Sequence, residues 1–347
     1  MTQIKVDNVV DAAGTAAADF TSGLTVAGAA LSTLNTAEYY ETGTEPTSPK
    51  NGAIWKDTTN NKVMVYIAGE FKEVELNAAV GGASWTVDLS NVTYDNKTAS
   101  LTSQDSTPFD IAFNSDGTKM YMIGQSGDYI HQYSLSTALD ISTASYDNVS
   151  LFVGSQENVP TSLAFNDDGT KVYITGEISD KVHQYSLSTA FDMSTGSYNN
   201  VFFSWSAGTF AKSICLRFNP AGTKMYLISE EATRPIYQYT LSTAFDVSTA
   251  SYDNVSFALS SQDTGAQSIN FNTDGTKMYM IGTTSDSVFQ YSLSTGFDLS
   301  TASYDSVSFS TSAQQAVAVS LSFSPDGTKM YISGLTPVNT AQYSTGL

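Results

Sequence analysis

FNDDGTKVY, residues 165–173, decides the fold because the chain writes it five times. It stands as FNSDGTKMY at 113–121, FNPAGTKMY at 218–226, FNTDGTKMY at 271–279 and FSPDGTKMY at 323–331. Its turn glycines, Gly117, Gly169, Gly222, Gly275 and Gly327, are 52, 53, 53 and 52 residues apart. About 14 residues after each glycine comes a second signature, IHQYSLST, VHQYSLST, IYQYTLST, VFQYSLST and finally TAQYSTGL. A third, SYDNV or a close variant, begins at Ser145, Ser197, Ser251 and Ser303. A period of this length marks a reused structural unit.

Each unit reads as four short strands. In the second unit these are TSLAF at 161–165, KVYIT at 171–175, KVHQYSL at 181–187 and NVFFS at 200–204. Asn166-Asp167-Asp168-Gly169 is a tight turn whose glycine is free to take positive φ. Tyr, Phe, Val and Ile fill the strands with period two, and turn residues punctuate them. Four-stranded units repeated radially make a β-propeller, with a linear solenoid as the alternative.

The chain ends separate the two. The last unit stops at its third strand, AQYSTGL, and a matching fourth strand stands before the first unit. VDLSNVTYDNKTASLTS at 87–103 aligns with LDISTASYDNVSLFVGS at 139–155, Asp88 on Asp140 and Tyr94 on Tyr146. An N-terminal strand that completes the C-terminal unit closes a ring, and closure hides strand edges. The expected fold is all-β: a five-bladed propeller of four-stranded blades over residues 83–347, closed by an N-terminal outer strand.

Composition narrows the function. The 347 residues carry 34 acidic and 15 basic side chains, a formal charge of −19, and only two of the bases are arginines, Arg217 and Arg234. Phosphate-binding surfaces need clustered positive charge, so neither a nucleic acid nor an anionic membrane surface is an expected partner. One cysteine, Cys215, and two histidines build no disulfide framework and no zinc cluster. Cys215 lies in the apolar run Ile214-Cys215-Leu216 and reads as a small buried hydrophobe. No run reaches the roughly 18 apolar residues of a membrane span. MTQIKVDNVVDAAG has an early aspartate and no apolar core, so no secretory signal is expected.

Within residues 1–35, IKVDNVV at 4–10 reads as a short strand, and a stretch rich in Ala, Gly, Thr and Ser follows that is too poor to bury much by itself. Residues 36–82 read as a small β module with turn signals at Asn51-Gly52, Asn60-Asn61 and Ala68-Gly69, and Gly81-Gly82 reads as a hinge.

The repeating unit resembles the SPDGTKMY-type propeller repeats of bacterial surface proteins and marine phage structural proteins, over about three quarters of the chain. IKVDNVVDAAGTAAADFTSGLTV resembles the opening of phage tail-fibre and virion appendage proteins, although Gly14-Thr15-Ala16-Ala17-Ala18 departs from the GTGAP of that pattern. SPKNGAIWKDTTNNKVMVYIAGEFKEV resembles the small NG-x-IW-x-DT module of tail fibres. The resemblance implies a virion protein. Its first segment is ordered by other virion proteins or by its own copies, and its propeller contacts a host surface glycan or protein. The alternatives are a particle decoration without a receptor and a glycan-degrading enzyme.

Candidate chemistry is sparse. The turn aspartates Asp116, Asp168, Asp274 and Asp326 are explained by turn geometry, and Ala221 replaces the fifth. His131 and His183 share a repeat position with Tyr237, Phe289 and Ala341, which reads as packing. Gln132, Gln184, Gln238, Gln290 and Gln342 recur in every unit as buried amides between blades. Most acidic positions follow the repeat, so the chain is expected to be no enzyme and to use no cofactor or metal. Binding belongs where units differ, in two loop sets expected on one face. Gln104, Asp105, Gln156, Glu157, Gln262 and Asp263 come from the loops between blades, where Ser206-Ala207-Gly208 stands in the third unit. Arg234 comes from a loop between second and third strands, and Trp205 is a candidate platform for a sugar ring.

Overall fold

The computed structural model describes residues 85–205 and 212–347 in full and, before them, the backbone of six strands. The chain divides into two compact units, residues 1–78 and 79–347. In the first, β1 (Thr25–Val26) pairs with β2 (Ala29–Ala30). A four-stranded sheet follows, of β3 (Tyr39–Thr42), β4 (Ile54–Asp57), β5 (Lys62–Ile67) and β6 (Glu70–Val74), in that order, with β3 and β4 parallel. The expected strand at 4–10, the hinge at Gly81-Gly82 and the loop Ser206-Ala207-Gly208 lie outside the described residues.

The second unit is a five-bladed β-propeller of four-stranded antiparallel sheets. Blade 1 is β8 (Pro108–Phe113), β9 (Lys119–Gly124), β10 (Tyr129–Leu135) and β11 (Ala144–Phe152). Blade 2 is β12 (Pro160–Phe165), β13 (Lys171–Gly176), β14 (Lys181–Leu187) and β15 (Gly196–Ser204). Blade 3 is β16 (Ser213–Phe218), β17 (Lys224–Ser229), β18 (Pro235–Leu241) and β19 (Ala250–Ala258). Blade 4 is β20 (Ala266–Phe271), β21 (Lys277–Gly282), β22 (Ser287–Leu293) and β23 (Ala302–Ser310). Blade 5 is β24 (Ala318–Phe323), β25 (Lys329–Leu335), β26 (Val338–Ser344) and, from the N-terminal side, β7 (Thr93–Ser100). The Tyr343↔Tyr94 register closes the ring as the sequence expects.

One strand differs from expectation. The fourth strand of blade 2 begins at Gly196, not at residue 200, because SYNN stays paired through a bulge. Tyr185 pairs with Tyr198 and Gln184 with Val201, so two residues on β15 are absorbed between them. Asn200 takes φ 59°, and Asn96, Asn148, Asn254 and Ser306 do the same in the other blades. Asparagine tolerates that left-handed conformation, which explains the SYDN signature as a bulge inside the strand.

Two polar latches fasten the blades, the first at four of the five junctions and the second at all five. Gln132 Oε1 accepts from the Met193 N–H at 3.0 Å, Gln238 from Leu299 at 2.9 Å and, across the closure, Gln342 from Ile141 at 3.0 Å. In blades 1, 2, 3 and 5 the recurring amide is thus a buried inter-blade acceptor, as read from the sequence, whereas Gln290 Oε1 in blade 4 is buried without a partner among the described residues. Its Nε2 donates to the bulge carboxylate of its own blade, Asp147 at 2.9 Å in blade 1. In the second latch Tyr121 Oη donates to the Phe191 carbonyl at 2.6 Å, and Tyr331 to the Leu139 carbonyl at 2.7 Å. Phe191 holds φ 60° and lays its ring on Gly169, where any Cβ would fall 2.2 Å from it. Glycine in the DGT turn is therefore required twice, for its own φ of 69° and for this approach.

Candidate functional site

The two variable loop sets do share one end of the propeller, and the structure shows what joins them. Asp105, in the loop before β8, accepts from the Thr107 N–H at 2.7 Å and from the Gly127 N–H, in the β9–β10 loop, at 3.1 Å. Glu157 does the same in blade 2, accepting from Val159 at 3.0 Å and Ser179 at 2.9 Å. Asp263 repeats it in blade 4, with Gly265 at 2.7 Å and Ser285 at 2.9 Å. All three carboxylates are buried. Their assignment as ligand groups is corrected: backbone N–H groups occupy their oxygens, and they shape the loops. Gln104, Gln156 and Gln262 accept from the Tyr133, Tyr185 and Tyr291 hydroxyls at 3.1, 2.8 and 3.1 Å, half-buried inside the same loops.

Trp205 is not a platform. It is 6% exposed and packs in the core cluster with Tyr173, Val182 and Leu216. Leu101, Val153 and Leu259 fill the corresponding place elsewhere, each buried, so Trp205 is the third blade's version of a core residue. Arg234 donates from Nε to the Thr264 carbonyl at 3.2 Å and bridges loops of blades 3 and 4.

The exposed apolar residues of this end were missed. Phe152 is 47% exposed, Ile178 59%, Phe202 39% and Tyr129 36%, and all four belong to blades 1 and 2. Strand register shows that they break the repeat. Phe152, opposite Tyr129, stands where Ser204, Ala258, Ser310 and Ser100 stand in the other blades. Phe202, opposite His183, stands where Ser150, Ser256, Ser308 and Thr98 do. The Tyr129 and Phe152 rings meet at 5.0 Å, and Lys181 Nζ lies 4.5 Å above the Phe202 ring. That alignment of outer strands was available in the sequence.

Both histidines are buried in the third strands of blades 1 and 2. His183 is buried, with Nδ1 3.1 Å from the Tyr198 hydroxyl and Nε2 3.1 Å from the Ser179 hydroxyl, and burial, then Lys181, pushes its pKa down to about 4. His131 is buried in the same place, and its pKa is also lowered by burial. Cys215 is buried, as expected. Among the described residues no group of three or more His, Cys, Asp or Glu side chains is placed to hold a metal. No described helix is long and apolar enough to cross a membrane.

The central channel carries an asymmetry that sequence reading also missed. One residue of each innermost strand forms a layer, Asp110, Ser162, Cys215, Ser268 and Ser320. Arg217 reaches this layer from the third blade. Its Nη1 is 2.9 Å from Asp110 Oδ2, and its Nη2 donates to Asp110 Oδ1 at 3.2 Å and to the Ser268 hydroxyl at 3.1 Å. Asp110 also accepts from Ser162 at 2.7 Å and Ser320 at 2.6 Å. Burial works against the guanidinium charge, and Asp110 more than offsets it, so the Arg217 pKa is raised. One network thus ties all five inner strands and fills the channel at this level. Aligning FDIAF, TSLAF, ICLRF, QSINF and VSLSF shows Asp110 against Ser and Cys, and Arg217 against Ala, Asn and Ser, which corrects the reading that acidic positions follow the repeat.

At the DGT-turn end a cavity of about 290 Å³ is lined by Phe165, Phe218, Phe271, Phe323, Arg217 and Asp167 among others. Asp167, at its rim, has its pKa pushed up to about 6 by burial and then by Asp168.

No family model matches the chain, and no curated protein matches it. Solved structures show a partial likeness to it. A provisionally named 6-phosphogluconolactonase from Bacteroides uniformis is 16% identical, with TM-score 0.42, over 65% of this chain and 63% of that one. Another of that name from Bacteroides fragilis is 12% identical, with TM-score 0.41, over 72% and 64%. A protein of unknown function from Desulfotomaculum acetoxidans is 10% identical, with TM-score 0.41, over 79% and 69%. The chain therefore spans less than two thirds of both of the structures that carry an enzyme's name. Those names overturn the expectation that this chain is no enzyme, and that exclusion is withdrawn. At these identities and TM-scores no activity or substrate passes from the neighbours to this chain.

Proposed function

We propose that the chain is a phage virion appendage protein. Its N-terminal region docks it to other virion proteins, and the loop end of its propeller binds a host surface glycan or protein. The N-terminal resemblance supports the particle half of this reading. The observation that carries the other half is the set of exposed side chains that break the repeat, Tyr129, Phe152, Ile178 and Phe202. A fold built from copies dictates none of them, and exposed apolar groups concentrated in two of five blades are what a recognition surface needs. The loop carboxylates hold that surface in shape.

The test is adsorption. Labelled full-length chain should bind saturably to cells of the bacterium infected by a phage that carries it, and should compete with particle adsorption. A chain that neither binds those cells nor competes contradicts the receptor-binding half.

A further inference from the structure

Blades 1 and 2 place a histidine at the same position and complete it differently. In blade 2 the Ser179 hydroxyl lies 3.1 Å from His183 Nε2. In blade 1 the residue at that place is Gly127, and His131 Nε2 is buried with no hydrogen-bond partner among the described residues. Asp128 Oδ1, three residues earlier in the chain, is also buried and unpartnered among the described residues. Repeat register again supplies the cause. In blade 4 the equivalent Asp286 Oδ1 accepts at 3.1 Å from the N–H of Ala318, the first residue of β24. The corresponding strand β12 begins with Pro160, which has no N–H to give. Two buried polar atoms without partners, within four residues of each other, are costly.

The same niche carries the exposed aromatic pair. The Tyr129 ring lies over the His131 ring at 5.8 Å and against Phe152 at 5.0 Å. Gly154 keeps the wall close, since a Cβ there would fall 2.6 Å from Phe152 and 3.0 Å from Asp128. We infer that this niche of Gly127, Asp128, Tyr129, His131 and Phe152 binds a neutral saccharide. A sugar hydroxyl takes at His131 Nε2 the place that the Ser179 hydroxyl takes at His183 Nε2. A second hydroxyl donates to Asp128 Oδ1, and the C–H face of the ring packs on Tyr129 and Phe152. Tyr129 turns aside to admit the ligand, which its exposure permits. A neutral sugar is favoured over an acidic one because the niche holds the Asp128 carboxylate, and the Asp105 carboxylate accepts from the N–H of the adjacent Gly127 at 3.1 Å. The inference rests on the host-surface reading above and names its ligand class.

The chain has only two histidines, which makes the test direct. Imidazole nitrogen NMR of the full-length protein is recorded with free glucose, galactose, rhamnose, N-acetylglucosamine and N-acetylgalactosamine, and with sialic acid as the acidic control. His183→Gln assigns the signals. At least one neutral sugar should shift the His131 Nε2 resonance and leave His183 in place, and sialic acid should shift neither. Gly127→Ser supplies the hydroxyl from the protein and should weaken that response at least ten-fold. Its new Cβ meets only the edge of the Tyr129 ring, at 3.2 Å, as its nearest contact. Phe152→Ser, which restores the residue of blades 2, 4 and 5, should weaken it similarly. A His131 signal that no neutral sugar moves, or a shift that survives both variants, overturns the inference. Cell binding that persists while His131 stays silent overturns the niche and leaves the receptor reading standing. Loss of both removes the receptor reading as well.

Discussion

The guanidinium of Arg217, on the inner strand of blade 3, lies 2.9 Å from the carboxylate of Asp110 on the inner strand of blade 1. The pair joins strands that are not neighbours in the ring, and serines of blades 2, 4 and 5 complete it. Its effect on stability is readable because the other blades show what the repeat places there. Arg217→Ala leaves a carboxylate that is 2% exposed without its counter-charge. That change should cost about 3–5 kcal/mol in denaturant unfolding. The double variant Asp110→Ser with Arg217→Ala restores the residues of blade 2, Ser162 and Ala164, and should recover most of the loss. A double variant no more stable than Arg217→Ala alone would contradict the reading of the pair as mutually dependent charges.

Closure of the ring makes a second prediction. Removing residues 85–102 takes away β7, Trp85 and Val87, and leaves β26 with an open edge. Trp85 packs on Phe323 at 5.0 Å and donates to the Pro325 carbonyl at 3.2 Å, so the fifth blade loses core as well as a strand. The whole propeller should lose its cooperative melting transition. Gln342→Leu is the point-sized version: it strands the buried Ile141 N–H and should cost about 1–3 kcal/mol. An unchanged melting curve in the truncated chain would count against a closed ring.

The five blades and the closing strand were legible because each is written several times, and one copy corrects another. Asp88 on Asp140 and Tyr94 on Tyr146 sufficed to place β7 in blade 5. Function was less legible for the same reason. Recurring Asp and Glu in the loops between blades looked like ligand groups, but a residue that returns at a fixed position serves the fold, and Asp105 serves three backbone N–H groups. The informative residues were the single departures. Phe152 among serines and an alanine, Gly127 in place of a serine and Asp110 among serines and a cysteine each alter one letter in a strand or loop that otherwise reads normally. Trp205 also departs, but its place is buried in every blade described, so a large side chain there adds core and no surface.

His183 gives stability a pH dependence with a defined window. Its pKa is about 4 in the fold against an ordinary 6.5, so the neutral ring is the form that the fold accepts. That contribution is complete above pH 6.5 and is lost as pH falls toward 4. At roughly 1.4 kcal/mol per pKa unit, it amounts to about 3–4 kcal/mol. Asp167 works in the opposite direction. Its raised pKa of about 6 makes its ionised form unfavourable in the fold, so acidification from pH 6 toward 4 relieves that cost. The His183→Gln profile should therefore be flatter than wild type between pH 4 and 6.5, and the Asp167→Asn profile should fall more steeply on acidification. Parallel curves for all three proteins would contradict both assignments.

The anchoring role of the N-terminal region is separable from the propeller. Deleting residues 1–82 should leave a protein that melts as the ring does and should abolish its incorporation into particles. The check is quantitative detection of the chain in purified particles from cells expressing the truncated form. Incorporation at the level of the full chain would remove the anchoring role.

The central claim is that the loop end of the propeller recognises a bacterial surface through the exposed residues of blades 1 and 2. Its most direct test is retention of the full-length chain on immobilised bacterial surface polysaccharides, host material included, with release of new reducing ends recorded in parallel. The account predicts retention on the host polysaccharide, reduced at least ten-fold by Phe152→Ser and Phe202→Ser together. New reducing ends would add a hydrolytic step to binding. No retention on the host polysaccharide, or retention indifferent to both substitutions, would contradict the account.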